Sequence, residues 1–156
     1  MKTTFLLNLY SFFWIGSITI ITALHFFSYY RYIHHKESRS LKEWQNLFLF
    51  LQLSSTILWA LGAIFAIWID QIVPLVLLTA IYAGVAASGI LSLAPFLRAA
   101  IFFLTVPLGM LIIILLLKHH VFGYELAFLL AFYYLFILFI TKKLHKQFLH
   151  ILKTNK

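Results

Sequence analysis

The amino-acid sequence contains no cysteine, three prolines, six glycines and only four acidic residues in a chain of 156. Without cysteine the chain can form no disulfide, and it has no thiolate for a metal, an iron–sulfur cluster or nucleophilic catalysis. Charged residues make up 10% of the chain, whereas they make up about a quarter of an ordinary soluble domain. This scarcity of charge excludes a water-soluble fold.

Apolar residues are what the chain has in abundance. They account for 63% of it, and the mean hydropathy is +0.99. About 20 consecutive apolar residues can cross the hydrocarbon core as a helix, and five runs meet this requirement. These predicted spans are residues 5–30, 47–69, 72–93, 97–117 and 122–141. The first run is too long and too aromatic for a cleavable signal peptide, so we interpret it as a span.

The sequence therefore predicts an all-α fold, a polytopic membrane helix bundle. We assign residues 1–141 to the transmembrane bundle and residues 142–156 to a basic amphipathic tail. The connections between spans are short, so successive helices are expected to be antiparallel neighbours.

Lysine and arginine are distributed unevenly around the spans. Ten of the twelve lie at one set of helix ends, and only Lys2 and Lys118 lie at the other. The ten are Arg31, Lys36, Arg39, Lys42, Arg98, Lys142, Lys143, Lys146, Lys153 and Lys156. Positively charged ends face the cytoplasm, so we predict an N-out, C-in orientation, in a bacterial inner membrane.

The net charge of +8 indicates that these basic segments bind negatively charged partners. Because the charges flank apolar runs, we expect anionic lipid headgroups beside them. Nucleic-acid binding is not expected, since no soluble recognition fold accompanies the charge.

Ionisable residues at membrane depth are candidates for function. We expect His25 to be the one such residue within a span, either as a partly buried, hydrogen-bonding histidine or as a group that senses a ligand or a proton. His119 and His120 lie at the opposite membrane face, about 25 Å away, so they cannot share a haem with His25. We expect no metal, no cofactor and no enzymatic activity, because no nucleophile, acid and histidine lie at one depth.

A stripe of small and polar residues runs along the second span. Its members recur at helical spacing, so they share one face. They are Gln52, Ser55, Thr56, Trp59, Gly62, Ala63 and Ala66. The stripe indicates either interhelical packing or a small-ligand pocket floored by Gln52 and Trp59.

The third span carries small residues at every fourth position. Two series occur, Ala80, Gly84 and Ser88 in one, and Ala83 and Ala87 in the other. Small residues at this spacing let helix backbones approach closely. This span is predicted to be either the central helix of the bundle or a dimer seam.

Two features could carry a structural change toward the cytoplasm. Pro107 predicts a kink in the fourth span, which either packs statically or acts as a hinge. The tail after the fifth span has an apolar face that includes Phe148, and it either anchors on anionic lipid or docks on a signalling partner. Its expected contact residues are Lys142, Lys143, Lys146, Phe148 and Lys153.

Several features of residues 41–156 occur together in one known group of proteins. They are Trp44 opening a helix, Trp59 in the second span, the run AGVAASGILSLAPFLRA at residues 83–99, the Val106-Pro107 pair and the final basic helix. In these the chain resembles the multi-helix, MASE-like membrane sensor regions that precede diguanylate cyclase and histidine kinase domains in bacteria. Those regions typically have six helices and an N-in start, whereas this chain has five spans.

The resemblance implies a non-enzymatic signalling input module that couples the membrane to a cytoplasmic partner. It defines no ligand residues. A structural or accessory subunit of a larger membrane complex remains an alternative, and a small transporter or channel is a third. The expected protein partners are another membrane protein or a second copy of the chain.

Overall fold

The computed structural model describes residues 2–35, 40–93, 95–118 and 121–154. Across these ranges the regular structure is entirely helical. The helices are α1 (Lys2–His34), α2 (Leu41–Gly62), α3 (Phe65–Trp68), α4 (Ile72–Leu93), α5 (Leu97–Leu117) and α6 (Val121–Thr154). Five segments are long and apolar enough to cross a membrane, when α2 and α3 are taken together. The predicted all-α fold and the multi-pass membrane character are thereby confirmed.

Some predictions concern residues that lie outside the described ranges. These are Lys36, Arg39, His119, His120 and Lys156. The orientation and the exclusion of a shared haem site therefore stay predictions.

Helices α4 and α5 begin and end where the apolar runs do. Their bounds, Ile72–Leu93 and Leu97–Leu117, coincide with the third and fourth predicted spans. Asp70 and Gln71 precede α4, Pro95 stands between the two helices, and Lys118 follows α5. Polar residues and proline thus stand at the ends of these two helices.

Helix α2 begins at Leu41, six residues before the predicted span. The side chain of Glu43 accepts a hydrogen bond from the backbone N–H of Ser40 at 2.7 Å. The hydroxyl of Ser40 in turn accepts one from the N–H of Glu43 at 3.3 Å. This reciprocal capping box satisfies two amides that the first helical turn leaves unpaired.

The second predicted span, residues 47–69, is not one uninterrupted helix. Helix α2 ends at Gly62, and the four-residue helix α3 follows a turn at residues 63 and 64. The amide of Ala66 donates to the carbonyl of Ala63 at 3.0 Å, which is the tighter i to i+3 pattern. The last carbonyls of a helix need other donors, and the hydroxyl of Tyr10 donates to the carbonyl of Leu61 at 2.7 Å.

The chain forms two compact units, Met1–Gly62 and Ala63–Lys156. The first is the pair of α1 and α2. Three edge-on ring contacts join them, at centroid distances of 5.6, 6.1 and 5.7 Å. The contacts are Trp14 with Trp59, His25 with Phe48, and Tyr32 with Trp44. Residue numbers fall along α2 as they rise along α1, so the pair is antiparallel.

The second unit contains α3 to α6, and its central helix is α5. Helix α5 contacts α3, α4 and α6, and its buried residues recur at spacings of three and four, which places them on one face of the helix. They are Ala100, Phe103, Leu104, Pro107, Leu108, Leu111, Ile114 and Leu115. Within the second unit the fourth span thus contacts each of the other helices, and the role predicted for the third span, as central helix of the bundle or as a dimer seam, stays a prediction.

Helix α6 is a single helix of 34 residues. It includes the fifth predicted span and continues through Thr141 into the basic segment. At residue 141 the composition changes from apolar to basic, but the helix does not end there. The assignment of residues 142–156 as a separate tail stays a prediction.

Candidate functional site

Two adjacent tyrosines on α6 hold that helix to two different neighbours. The hydroxyl of Tyr133 donates to the backbone carbonyl of Ala83 on α4 at 2.6 Å. The hydroxyl of Tyr134 lies 2.8 Å from the hydroxyl of Thr105 on α5. Thr105 gives its only hydroxyl proton to the carbonyl of Ile101 at 2.7 Å, so Tyr134 is the donor to Thr105. We call Tyr133 and Tyr134 the tyrosine pair.

The contact of Tyr134 lies one turn or less from the proline of α5. Pro107 is buried, and α5 continues as one helix through it. Proline has no amide hydrogen, so the carbonyl of Phe103 receives no intrahelical bond from position 107. Thr105, two residues before Pro107, is therefore anchored in the part of α5 whose backbone bonding is weakest. The tyrosine pair connects that turn to α6.

The tail residues continue the helix that carries the tyrosine pair. Thr141 is buried and donates to the carbonyl of Ile137 at 2.8 Å. Beyond it, the predicted contact residues Lys142, Lys143, Lys146, Phe148 and Lys153 are all exposed. At 1.5 Å per residue, about 28 Å of helix separates Tyr134 from Lys153. A displacement of α6 at the tyrosines would move this exposed segment, because no break separates them.

Most of the predicted small-residue seam of α4 is not used for packing within the unit. Ala80, Gly84, Ala87 and Ser88 are exposed, and Ala83 is half-buried, with its carbonyl bound to Tyr133. The opposite face of α4 packs instead. Its buried residues are Leu75, Thr79, Tyr82, Ala86, Gly89, Ile90 and Leu93.

The close approach between α4 and α5 occurs at Gly89. A β-carbon at this position would overlap the ring of Phe103. Around Gly84, by contrast, a β-carbon would meet nothing. Glycine is therefore required at position 89 for packing and not at position 84. A dimer seam at the exposed residues stays a prediction.

An apolar groove lies beside the tyrosine pair, between α4 and α6. Its volume is 520 Å³, and Ala80, Ala83, Phe132 and Phe136 are among its lining residues. Thr79, which also lines it, donates its hydroxyl to the carbonyl of Leu75 at 2.9 Å. The groove thus offers apolar surface to an acyl chain or to an apolar side chain.

Of the residues suggested as ligand-binding in the first unit, His25 and Trp59 lie far apart. The ring of His25 lies edge-on to Phe48, whereas Trp59 lies edge-on to Trp14. These contacts are 11 positions apart on each helix, which is about 16 Å along the axis. Gln52 is half-buried, and its carbonyl accepts a hydrogen bond from Thr56 at 2.8 Å. Of the stripe, Trp59 and Gly62 lie against Trp14 of α1. The choice between packing and a small-ligand pocket stays a prediction.

The sequence pattern gave no indication of the role of Lys118. Its ammonium group donates to the carbonyl of Ala66 at 2.8 Å and also to the carbonyl of Ile69. It lies 3.4 Å from the carboxylate of Asp70. The lysine side chain is only 15% exposed, whereas that of Asp70 is 92% exposed. Lys118 therefore caps the carbonyl end of α3, which a four-residue helix could not satisfy by itself.

Glu125 corrects the expectation that His25 would be the one ionisable residue within a span. It lies in the first turns of α6, inside the predicted span 122–141, and its side chain is exposed.

No metal centre is formed by the part of the chain that the structure describes, since no three His, Asp or Glu side chains come together there. Comparisons with protein family models, with curated proteins and with solved structures found no match to this chain. The tyrosine pair, the proline of α5 and the continuous α6 are the structural features that bear on function.

Proposed function

We propose that this chain is a non-enzymatic, sensor-like signalling input module of the membrane, which acts on a cytoplasmic partner through α6. The observation that carries the proposal is the continuity of α6 from the tyrosine pair to the exposed basic segment. A continuous helix transmits a shift or rotation over its whole length, because each turn is bonded to the next. The resemblance to MASE-like sensor regions supports the same function.

The transmitting step begins at the proline of α5. A change of bend at Pro107 would displace Thr105, whose hydroxyl holds Tyr134. Because Tyr133 is next to Tyr134, the distance from its hydroxyl to the carbonyl of Ala83 would change as well. The hydrogen bonds of both tyrosines would therefore change together. Two arrangements of α6 that differ in these contacts would form the two-state element that a switch requires.

The surface of the chain that would contact the cytoplasmic partner is the basic end of α6. With the C-in orientation, Lys142, Lys143 and Lys146 face either anionic headgroups or an acidic surface of the partner. Phe148 adds an exposed apolar contact two residues after Lys146. A rotation of α6 would change which of these side chains the partner meets.

Thiol chemistry tests the proposal directly, since the chain has no cysteine. Single cysteines at Lys143 and Lys146 are introduced in the full chain, in native membranes, with and without Pro107→Ala. We expect Pro107→Ala to change the maleimide modification rates and the disulfide crosslinking of these sites. Val106→Ala, in the same turn of α5, serves as the matched control. Rates and crosslinks that are the same in all variants and membrane conditions would contradict signalling through α6.

An accessory subunit of a larger membrane complex is the second candidate, and α1 favours it. Phe12 and Phe26 on this helix are 75% and 73% exposed, which leaves aromatic surface for another protein. Mild solubilisation and purification separate the two functions. An accessory subunit should co-purify in fixed stoichiometry with a stable complex, whereas an input module should be isolated alone, with itself or with a signalling partner.

A further inference from the structure

An open groove runs between α1 and α2 near the end of the pair where α1 terminates. Its volume is 180 Å³, and its lining includes Leu24, Phe27, Ser28 and Arg31 on α1, and Trp44 and Leu51 on α2. The residues of α1 are spaced by three and four, so they share one face of the helix. The groove is thus built by the two helices of the first unit alone.

The groove is apolar along its length and cationic at one end. Because the helices are antiparallel, Leu24 and Leu51 lie together toward the middle of the pair, while Arg31 and Trp44 lie together at its end. Trp44 is 7% exposed, and Tyr32 packs edge-on against it. Tryptophan and tyrosine are typical of the membrane interface, and Arg31 directly follows the first predicted span, so we expect Arg31 at headgroup depth.

Arg31 has its charge available for a ligand. Its guanidinium carbon lies 5.9 Å from the ring centroid of Phe27, and the side chain is exposed. Among the described residues, Lys118 forms an ion pair with Asp70, and no ion pair involves Arg31. A guanidinium can bind a phosphate through two parallel hydrogen bonds.

We infer that this groove binds an anionic phospholipid, with one acyl chain between α1 and α2 and the phosphate on Arg31. The apolar interior and cationic end match the polarity of such a molecule, and we expect them at the membrane depths of its acyl chain and its headgroup. This inference concerns the first unit, so it stands independently of signalling through α6. It also differs from a general attraction of basic segments to the membrane, because it assigns one lipid to one arginine.

Native mass spectrometry of the purified full chain tests this site. The protein is released from detergent micelles that contain equal amounts of phosphatidylglycerol and phosphatidylcholine, and the retained lipids are counted. We expect one retained lipid, with phosphatidylglycerol preferred. Arg31→Gln should weaken retention of phosphatidylglycerol about tenfold, the effect of one charge-assisted contact. Arg98→Gln, which removes an exposed arginine of the second unit, should leave retention unchanged.

A second pair of variants tests the acyl part without changing charge. Ser28→Leu fills the groove, whereas Ser17→Leu alters another groove of the same helix pair. We expect Ser28→Leu to reduce retention of both lipids and Ser17→Leu to change neither. Circular dichroism and thermal unfolding establish that each variant is folded, and Arg31→Gln, at an exposed position, still tests the site if Ser28→Leu does not fold.

Three results would overturn the inference. The first is equal retention of the two lipids by the native chain. The second is an equal effect of Arg31→Gln and Arg98→Gln, which would reduce the contact to general charge. The third is evidence of a different occupant of the groove, given either by displacement of the lipid by inorganic phosphate or by a dimer that Ser28→Leu abolishes.

Discussion

Gly62, the last residue of α2, lies directly against the indole ring of Trp14, and a β-carbon at position 62 would overlap that ring. Trp14 is fixed in place because its indole N–H donates to the carbonyl of Leu58 at 2.7 Å and its ring packs on Trp59. The glycine therefore allows the indole to lie against the end of α2.

Gly62→Ala should destabilise the pair of α1 and α2 by about 1–3 kcal/mol, because Trp14 must move and its bond to Leu58 is strained or lost. The free energy of unfolding in detergent, followed by tryptophan fluorescence, measures the effect. Gly16→Ala is the matched control, since a β-carbon there meets nothing and alanine is the better helix former. Equal losses in the two variants would contradict the packing of Trp14 on Gly62.

Gly89→Ala should destabilise the second unit by a similar ~1–3 kcal/mol, because the new methyl group overlaps Phe103 in the contact of α4 with α5. Gly84→Ala, five residues earlier, should leave the free energy of unfolding unchanged or slightly raised. The same two variants test the predicted dimer seam by analytical ultracentrifugation. Weaker self-association of Gly84→Ala would show that the exposed small residues form a dimer seam. Unfolding of the monomer by Gly84→Ala would contradict the assignment of Gly89, and not Gly84, to the packing face of α4.

Lys118→Met should loosen α3 and leave the rest of the second unit folded. Removing the ammonium leaves the carbonyls of Ala66 and Ile69 without their donor, a loss of about 1–3 kcal/mol. Hydrogen exchange of the amides in residues 65–69 reports this loss locally. Lys142→Met removes an exposed lysine and should leave the exchange unchanged. Asp70→Asn should have little effect, because the carboxylate is exposed to solvent.

The orientation can be measured with thiols at the two sets of helix ends. Gln71→Cys precedes α4, and Lys146→Cys lies near the end of α6; both native side chains are exposed. The positive-inside rule predicts that an impermeant maleimide modifies position 71 in intact cells and position 146 only after permeabilisation. The reverse labelling would contradict the N-out, C-in orientation.

Local signals determined most of the helices. The polar residues before α4 and Lys118 after α5 interrupt the apolar runs, and Pro95 disfavours a helical conformation of the residue before it, so these positions marked the ends of α4 and α5. The start of α2 was also encoded locally, in the S-x-x-E pattern of Ser40 and Glu43, although hydropathy alone placed it six residues later.

The features that the sequence did not reveal depend on residues distant along the chain. The end of α2 at Gly62 involves Tyr10 and Trp14, more than forty residues away, and α3 is capped by Lys118. The partners of the tyrosine pair, on α4 and α5, are set by the register in which these helices pack. Periodicity identifies small residues but cannot say which face meets a neighbour. Within the second unit Gly89 lies against Phe103, whereas Gly84 is exposed.

The central claim is that α6 moves relative to α5 in response to the turn that contains Pro107. The most direct measurement is the distance between spin labels on Arg98→Cys, in the first turn of α5, and Lys146→Cys on α6, by pulsed electron paramagnetic resonance in membranes. We expect Pro107→Ala and Tyr134→Phe each to shift the distance distribution, while Tyr29→Phe, on the other unit, leaves it unchanged. A distribution that is identical in all of these variants would contradict the claim that α6 transmits a change within the membrane to its basic end.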